Sequence, residues 1–155
     1  CDRRQRQMCI RDRINSALCL KLDYECFSTV DLLCIDLMTG ICEFFKIGGS
    51  ESIVLHGPNV ETVFSVSLPV GMLPDIKVQG QAKRLDDGDI IIMMSDGISE
   101  AGFGTVRTDW LKKEIKMPFD TMDEMSQSVI ENAVKKSRDA VIDDMTVATI
   151  RLIRN

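Results

Sequence analysis

The sequence IIMMSDG at residues 91–97 decides how the rest of the chain is interpreted. Its first half is almost wholly apolar, which is typical of a strand that is covered on both faces of a sheet. We predict a strand over residues 89–95, and this strand runs directly into Asp96 and Gly97. An aspartate is therefore expected where a buried strand emerges at the edge of its sheet.

A second acidic motif precedes the last predicted strand. Asp143 and Asp144 come immediately before residues 145–153, which have the apolar and β-branched composition of a strand. If the two strands are antiparallel neighbours, the exit of one lies beside the entry of the other, and the carboxylates converge. Carboxylate oxygens without histidine or cysteine suit a hard cation such as Mg²⁺ or Mn²⁺.

Gly97 is expected to support such a metal site in two ways. It would let the backbone turn sharply after Asp96, and it would leave room for a metal-bound water. Such a water is acidified by the metal and is a natural nucleophile for the hydrolysis of a phosphate ester. Each motif by itself also has a simpler interpretation, because an aspartate after a strand is most often a turn or cap residue.

The rest of the chain predicts an α+β arrangement, because strands come first and helices are grouped late. Residues 14–22 have the pattern of the last turns of a helix. The predicted strands before the central one are 28–37, 41–47, 52–55, 60–66 and 76–85, and the predicted helices are 110–116 and 121–137.

Composition removes several classes of protein. The chain has 155 residues, enough for one domain or part of a larger one. Its net charge of −5 and isoelectric point near 4.9 argue against a general nucleic-acid binder. Its longest apolar runs are far shorter than the ~20 residues of a membrane-spanning helix, and its start has no signal-peptide pattern. We therefore expect a soluble, cytosolic chain that binds neither nucleic acid nor membrane through this segment.

Histidine and cysteine usage narrows the chemistry further. His56 is the only histidine, and we interpret it as a surface turn residue, with an active-site acid as the alternative. The six cysteines contain no C-x-x-C pair, so a zinc or redox motif is not expected. All six are confined to the first 42 residues, so we expect free, mostly buried thiols in a reducing compartment rather than a disulfide framework.

Other polar residues are given structural interpretations. Asp31 and Asp36 lie in an apolar predicted strand, where a carboxylate needs a partner. The cluster Asp86, Asp87 and Asp89 is expected to be solvated at a hairpin turn. The run GGS at residues 48–50 is interpreted as a strand break, since no helix begins after it to make a phosphate loop.

The set of motifs, taken together, resembles the metal-dependent PPM (PP2C-like) serine/threonine phosphatases. Within them, the chain is most similar to the phosphatase domain of the stage II sporulation protein E family. The motifs come in the family's order across residues 14–153 and are INSAL (14–18), STVD (28–31), IDLMTG (35–40), KIG (46–48), SLPVG (67–71), SDG (95–97) and DDMT (143–146).

The resemblance implies a fold, a cofactor and site residues. The fold would be the PP2C-like β-sandwich flanked by helices, in αββα layers. Asp96 and Asp143 would be catalytic metal ligands in a centre with two Mn²⁺ or Mg²⁺ ions. Asp144 ranks second as a ligand, because many relatives have asparagine at that position.

The resemblance also implies a biological setting. The substrate would be a phosphoserine on an anti-sigma-factor antagonist, whose dephosphorylation activates a sigma factor during sporulation. The enzyme would act in the cytoplasm, with the full-length protein anchored to the membrane by an N-terminal region.

One departure from the family pattern matters. PPM domains have an earlier aspartate, in a D-G-M-G-like motif, and residues 1–13 contain no such motif. We interpret residues 1–13 as a disordered or artefactual leader and residues 14–155 as the C-terminal two-thirds of a phosphatase domain without its first strands. The chain alone is then expected to be inactive. The alternatives are a catalytically silent PPM-like module that binds phosphoproteins, and a plain α+β domain with turn aspartates.

Overall fold

The computed structural model describes residues 27–65, 67–72, 80–101, 109–137 and 143–154. These residues form seven strands and three helices in mixed order, with the helices between the sixth and seventh strands. The strands are β1 (Val30–Ile35), β2 (Ile41–Ile47), β3 (Ser52–His56), β4 (Asn59–Val63), β5 (Gln81–Arg84), β6 (Ile90–Met94) and β7 (Val147–Arg151); the helices are α1 (Asp96–Ser99), α2 (Asp109–Glu114) and α3 (Met122–Lys136).

Two antiparallel sheets contain all seven strands. The first has three strands in the order β1-β2-β5, and the second has four in the order β4-β3-β6-β7. The turn between β1 and β2 ends at Gly40, whose φ of 73° is a left-handed value that favours glycine. The carboxylate of Asp36 closes this turn by accepting hydrogen bonds from the backbone N–H groups of Met38 and Thr39 at 3.0 and 3.2 Å.

Strand β6 is the centre of the second sheet. It pairs with β3 on one side, where Ile53 lies opposite Ile92, and with β7 on the other. Four of its five residues are buried, which explains its almost wholly apolar sequence. The sequence prediction of a fully covered strand at this position is therefore confirmed.

Helix α3 provides the longest apolar face against this sheet. Thr121 caps it: the threonine side chain accepts from the Glu124 N–H, and the Glu124 side chain accepts in return from the Thr121 N–H. This reciprocal capping box satisfies two backbone donors that a helix start otherwise leaves unpaired. The buried face of the helix joins one hydrophobic core made of Ile53, Leu55, Ile90, Ile92, Met94, Ile98, Ala101, Leu111, Ile115, Met125, Val129 and Ala133.

The chain divides into two compact units. One comprises Cys1–Cys34, Glu43–Gly49 and Ser65–Ala82, and the other comprises Ile35–Cys42, Ser50–Phe64 and Lys83–Asn155. The hydrophobic core, the second sheet and all three helices belong to the latter unit.

Most predicted elements are confirmed with shorter bounds. The predicted strand 76–85 is observed only as β5, since residues 73–79 lie outside the described residues. The last strand begins at Val147 rather than at 145, because residues 143–146 approach the end of β6 without a regular ladder. The helix predicted around residues 14–22 and the leader predicted at 1–13 also lie outside the described residues.

Two of the cysteines are described, and both carry free thiols. Cys42 is buried and Cys34 is half-buried. In the described ranges, no helix is both long enough and apolar enough to span a membrane.

Candidate active site

The two acidic motifs are brought together at one end of the second sheet. Strands β6 and β7 are antiparallel, and their last paired residues at this end are Met94 and Val147. Beyond this pair, the Ser95 N–H donates to the Thr146 carbonyl at 2.9 Å. The predicted relationship between the exit of one strand and the entry of the other is therefore confirmed.

The Ser95 side chain extends this connection past the end of the ladder. Its Oγ donates to the Asp144 carbonyl and accepts from the Thr146 N–H, both at 2.9 Å. Two backbone groups of the second motif are thus bound by one side chain of the first. Ser95 has no predicted role within its motif, since nothing in a single sequence indicates that its hydroxyl reaches the other strand.

Gly97 has a different role from the one predicted. It lies in the first turn of α1 without a left-handed φ, so its backbone conformation does not itself require glycine. A Cβ at this position would lie 2.6 Å from the Asp144 carbonyl oxygen and 3.1 Å from that of Asp143. Glycine is required because the backbone of the second motif packs directly against it.

Asp96 and Asp143 are both exposed at this end of the sheet. Asp96 Oδ1 accepts from the Gly97 N–H at 3.1 Å, and Asp143 Oδ1 accepts from the Asp144 N–H at 2.8 Å. Each carboxylate is oriented by the backbone of the next residue, and each is accessible to a ligand from solvent. Asp144, the second-ranked candidate, is also exposed.

The carboxylates at this sheet end suit a divalent metal chemically, but they are few. Exposed carboxylate oxygens are the preferred ligands of Mg²⁺ and Mn²⁺. Across residues 27–65, 67–72, 80–101, 109–137 and 143–154, no group of three or more histidine, cysteine, aspartate or glutamate residues could hold a metal ion. Asp96, Asp143 and Asp144, all of which are described, are therefore not arranged as a three-ligand metal site.

Helix α1 is held at this end by further contacts. Ile98 is fully buried in the core, which fixes the single turn that follows Asp96. Ser99 Oγ donates to the Asp96 carbonyl and lies 3.3 Å from Ser50 Oγ, in the segment that leads into β3. The GGS run is a strand break, as predicted, and its last residue also supports the α1 turn.

His56 lies at the opposite end of the sheet. It is the last residue of β3, and its Nδ1 is 2.6 Å from Asp89 Oδ2. The interpretation of His56 as a surface turn residue is corrected, because it ends β3 and is half-buried. The interpretation of Asp89 as solvated is wrong, since Asp89 is buried. The register places His56 near the start of β6 and Asp96 beyond its other end, so His56 is not an active-site acid.

Asp31 finds the partner that its apolar strand requires. In the unit that contains most of β1, Lys46 Nζ donates to Asp31 Oδ2 at 2.5 Å, and the lysine side chain is almost fully buried. Gly49 packs so closely against the same carboxylate that a Cβ would clash with Asp31 Oδ1. This supports the structural interpretation of Asp31.

Comparison with known proteins identifies the fold. The chain superposes with a TM-score of 0.81 on the PP2C phosphatase domain, with a fragment of the regulatory domain, of the cell fate determinant SpoIIE from Bacillus subtilis; the identity is 33%, over 91% of this chain and 43% of that one. A Mn-presoaked structure of the SpoIIE phosphatase domain gives a TM-score of 0.75 at 29% identity, over 100% of this chain and 68% of that one. The described chain therefore has the fold of a PP2C-type phosphatase domain.

The family follows from the sequence match. The family model for stage II sporulation protein E matches residues 9–153. Stage II sporulation protein E of Bacillus subtilis (strain 168) is 34% identical over 144 residues, which is 92% of this chain. The chain belongs to the stage II sporulation protein E family, and it spans 17% of the length of that relative.

Proposed function

We propose that this chain carries part of the catalytic centre of a metal-dependent protein serine/threonine phosphatase. The observation that supports the proposal is the junction of β6 and β7, where Ser95 and Gly97 hold the backbone of Asp143 and Asp144 beside Asp96. Membership of the family favours a metal-binding role for these aspartates over a role as simple turn residues.

In this proposal, Asp96 and Asp143 are ligands of a centre with two Mn²⁺ or Mg²⁺ ions. Such ions, when bound, would supply an acidified water and charge stabilisation for the phosphoryl group. The chain's own residues fix the ligands: Asp96 is oriented by the Gly97 N–H, and Asp143 by the Asp144 N–H. Asp144 assists from the adjacent position and contributes less.

We further propose that the centre needs a carboxylate from sequence upstream of residue 14. The described residues supply no group of three ligands, and the PPM pattern that the chain resembles has a further aspartate in an earlier D-G-M-G-like motif. This chain alone is then inactive, and an upstream extension in the natural reading frame restores activity.

The proposed substrate is phosphoserine or phosphothreonine on a protein, specifically on an anti-sigma-factor antagonist in sporulation control. Membership of the stage II sporulation protein E family supports a role in sporulation, and the anti-sigma-factor antagonist is proposed from the family resemblance alone. The phosphatase would act in the cytoplasm, and the full-length protein would be anchored by a region outside this chain.

The test is Mn²⁺-dependent phosphate release from the phosphorylated antagonist and from an unrelated phosphoserine protein. It is run on this chain and on the extended form, each with Asp96→Asn, Asp143→Asn and Asp144→Asn. Asp86→Asn is the matched control, since Asp86 is an exposed aspartate in the turn that precedes the other end of β6.

We expect turnover of the antagonist in the extended form only. Asp96→Asn and Asp143→Asn should abolish it, Asp144→Asn should reduce it, and Asp86→Asn should leave it unchanged. Activity of the short chain would overturn the requirement for an upstream ligand. Binding of the phosphoprotein without turnover in either form, unaffected by the aspartate substitutions, would instead establish the silent binding module.

A further inference from the structure

Ser95 occupies a helix N-cap position but does not cap its helix. It precedes α1 with extended backbone angles (φ −78°, ψ 166°), and its side chain makes no capping hydrogen bond. Serine at this position ordinarily accepts a hydrogen bond from the second or third N–H group of the helix. Here the hydroxyl is directed across to the segment before β7 instead.

The geometry explains this diversion. Backbone pairing with the segment before β7 ends with the Ser95 N–H, which donates to the Thr146 carbonyl, and the chain then turns into α1 at Asp96. The Ser95 hydroxyl replaces the missing backbone groups: it donates to the Asp144 carbonyl and accepts from the Thr146 N–H. Both hydrogen-bonding functions of the hydroxyl are thereby used.

Gly97 contacts the same segment from the helix side. Its missing Cβ lets the Asp143 and Asp144 carbonyls approach α1, while Ser95 holds the Asp144 carbonyl from the end of β6. Asp96 lies between these two residues in the sequence. The backbone of the segment that bears Asp143 and Asp144 is therefore positioned against the SDG motif by one side-chain hydroxyl and one absent side chain.

We propose that Ser95 is a positioning residue that fixes the segment bearing Asp143 relative to Asp96 and so sets the affinity of the site for a divalent cation. This inference rests on the proposed function for the identity of the ligands. Residues that orient metal ligands without touching the metal typically change metal affinity or activity by roughly 10- to 100-fold when substituted.

The test uses the form extended upstream, with Ser95→Ala, which removes both hydrogen bonds, and Ser95→Cys, which keeps the size of the side chain with a weaker donor and acceptor. Ser126→Ala is the matched control, because Ser126 also joins β7 through its hydroxyl, at 2.7 Å from Thr149 Oγ1, away from the carboxylates. Two quantities are measured in each variant: the Mn²⁺ dissociation constant by calorimetry, and amide hydrogen exchange at Thr146 in the metal-free protein.

We expect Ser95→Ala to weaken Mn²⁺ binding by roughly 10- to 100-fold and to accelerate exchange at Thr146. Ser95→Cys should give a smaller change in both, and Ser126→Ala should change neither. An unchanged Mn²⁺ dissociation constant in Ser95→Ala would overturn the inference even if exchange accelerates. An equal loss of affinity in Ser126→Ala would also overturn it, since the loss would then reflect general destabilisation.

The two proposals can fail separately. Unmodified protein that binds Mn²⁺ but releases no phosphate would overturn the proposed function, and the affinity change in Ser95→Ala would still decide the inference. Unmodified protein that turns over substrate with a Mn²⁺ affinity insensitive to Ser95→Ala would overturn the inference alone. Protein that binds no Mn²⁺ at all would overturn the inference directly.

Discussion

His56 Nδ1 lies 2.6 Å from Asp89 Oδ2 at the end of the second sheet remote from the candidate active site. The Asp89 carboxylate is only 7% exposed, and it also accepts a hydrogen bond from the Asp86 N–H at 2.6 Å. One buried carboxylate therefore connects the end of β3 to the turn before β6. Its partners satisfy the requirement that a buried charge be paired.

We expect Asp89→Ala to destabilise the fold by about 2 kcal/mol, because it removes a buried acceptor and leaves the Asp86 N–H and His56 without their partner. Asp86→Ala is the matched control, since that side chain is exposed in the same turn. The measurement is the free energy of unfolding by urea denaturation for both variants. Equal effects of the two substitutions would show that the turn, rather than the buried pair, determines stability there.

The pairing of His56 with Asp89 also predicts that His56→Ala affects stability and not metal dependence. His56→Ala should also lower the free energy of unfolding, but in the extended form it should leave the Mn²⁺ dependence of phosphate release unchanged. The reason is its position at the far end of β3 from Ser95 and Asp96. A shift in the Mn²⁺ requirement of His56→Ala would contradict the separation of these two sheet ends.

Gly97→Ala should destabilise the protein although it lies in a helix. Replacing glycine by alanine within a helix ordinarily stabilises by about 0.5–1 kcal/mol. Here the new Cβ would lie 2.6 Å from the Asp144 carbonyl oxygen, and the overpacking should cost about 1–3 kcal/mol. Thermal denaturation measures the change, and a net gain in stability would show that residues 143–144 move aside without cost.

Gly57→Ala provides the comparison for Gly97. Gly57 has a φ of 52° and nothing within 4 Å of the position of a Cβ, so the substitution introduces backbone strain without a steric clash. It should destabilise by about 1–2 kcal/mol through the left-handed conformation alone. In the extended form, only Gly97→Ala should raise the Mn²⁺ requirement of phosphate release.

Much of the fold could be predicted from local sequence. Strand β6 is predicted because five consecutive apolar residues precede a turn, and α3 because apolar positions repeat with helical spacing over residues 121–137. The candidate site is predicted only conditionally, because the two acidic strand ends meet if β6 and β7 are antiparallel neighbours, and that pairing is seen in the structure. These features depend on residues that are close in sequence or on the pairing of two strands, β6 and β7.

What could not be predicted depends on contacts between distant residues. The buried Asp89 carboxylate is paired at the sheet end with His56, which is 33 residues away in the sequence. The role of Gly97 depends on the carbonyls of Asp143 and Asp144, and that of Ser95 on the Thr146 N–H. A turn aspartate, a turn glycine and a cap serine are each the simplest interpretation when only neighbouring residues are considered.

Thr121→Ala should weaken the start of α3 by about 1 kcal/mol. The threonine hydroxyl accepts from the Glu124 N–H at 3.1 Å, and no alanine atom can replace it. Thr121→Ser keeps the hydroxyl and should retain most of the stability. Urea denaturation measures the free energy of unfolding of the two variants. Equal losses of that free energy would mean that the threonine methyl group, rather than the cap, is responsible.

Burial raises the pKa of the Cys42 thiol above its ordinary value, because desolvation disfavours the thiolate. A folded-state pKa above the unfolded one contributes stability that is fully present below the unfolded pKa and is lost as the pH rises through the folded pKa. We therefore expect the free energy of unfolding to fall at alkaline pH more steeply in the unmodified chain than in Cys42→Ala. Parallel pH profiles for the two would contradict a buried neutral thiol.

Alkylation at neutral pH tests the same burial independently. The thiolate is the reactive form, so a buried thiol with a raised pKa reacts only when the structure opens. Iodoacetamide followed by peptide mapping should therefore modify Cys34, which is half-buried, before Cys42, which is fully buried. In urea, where both thiols are exposed, the two rates should converge. Faster modification of Cys42 than of Cys34 in the folded protein would show that β2 opens locally at that position.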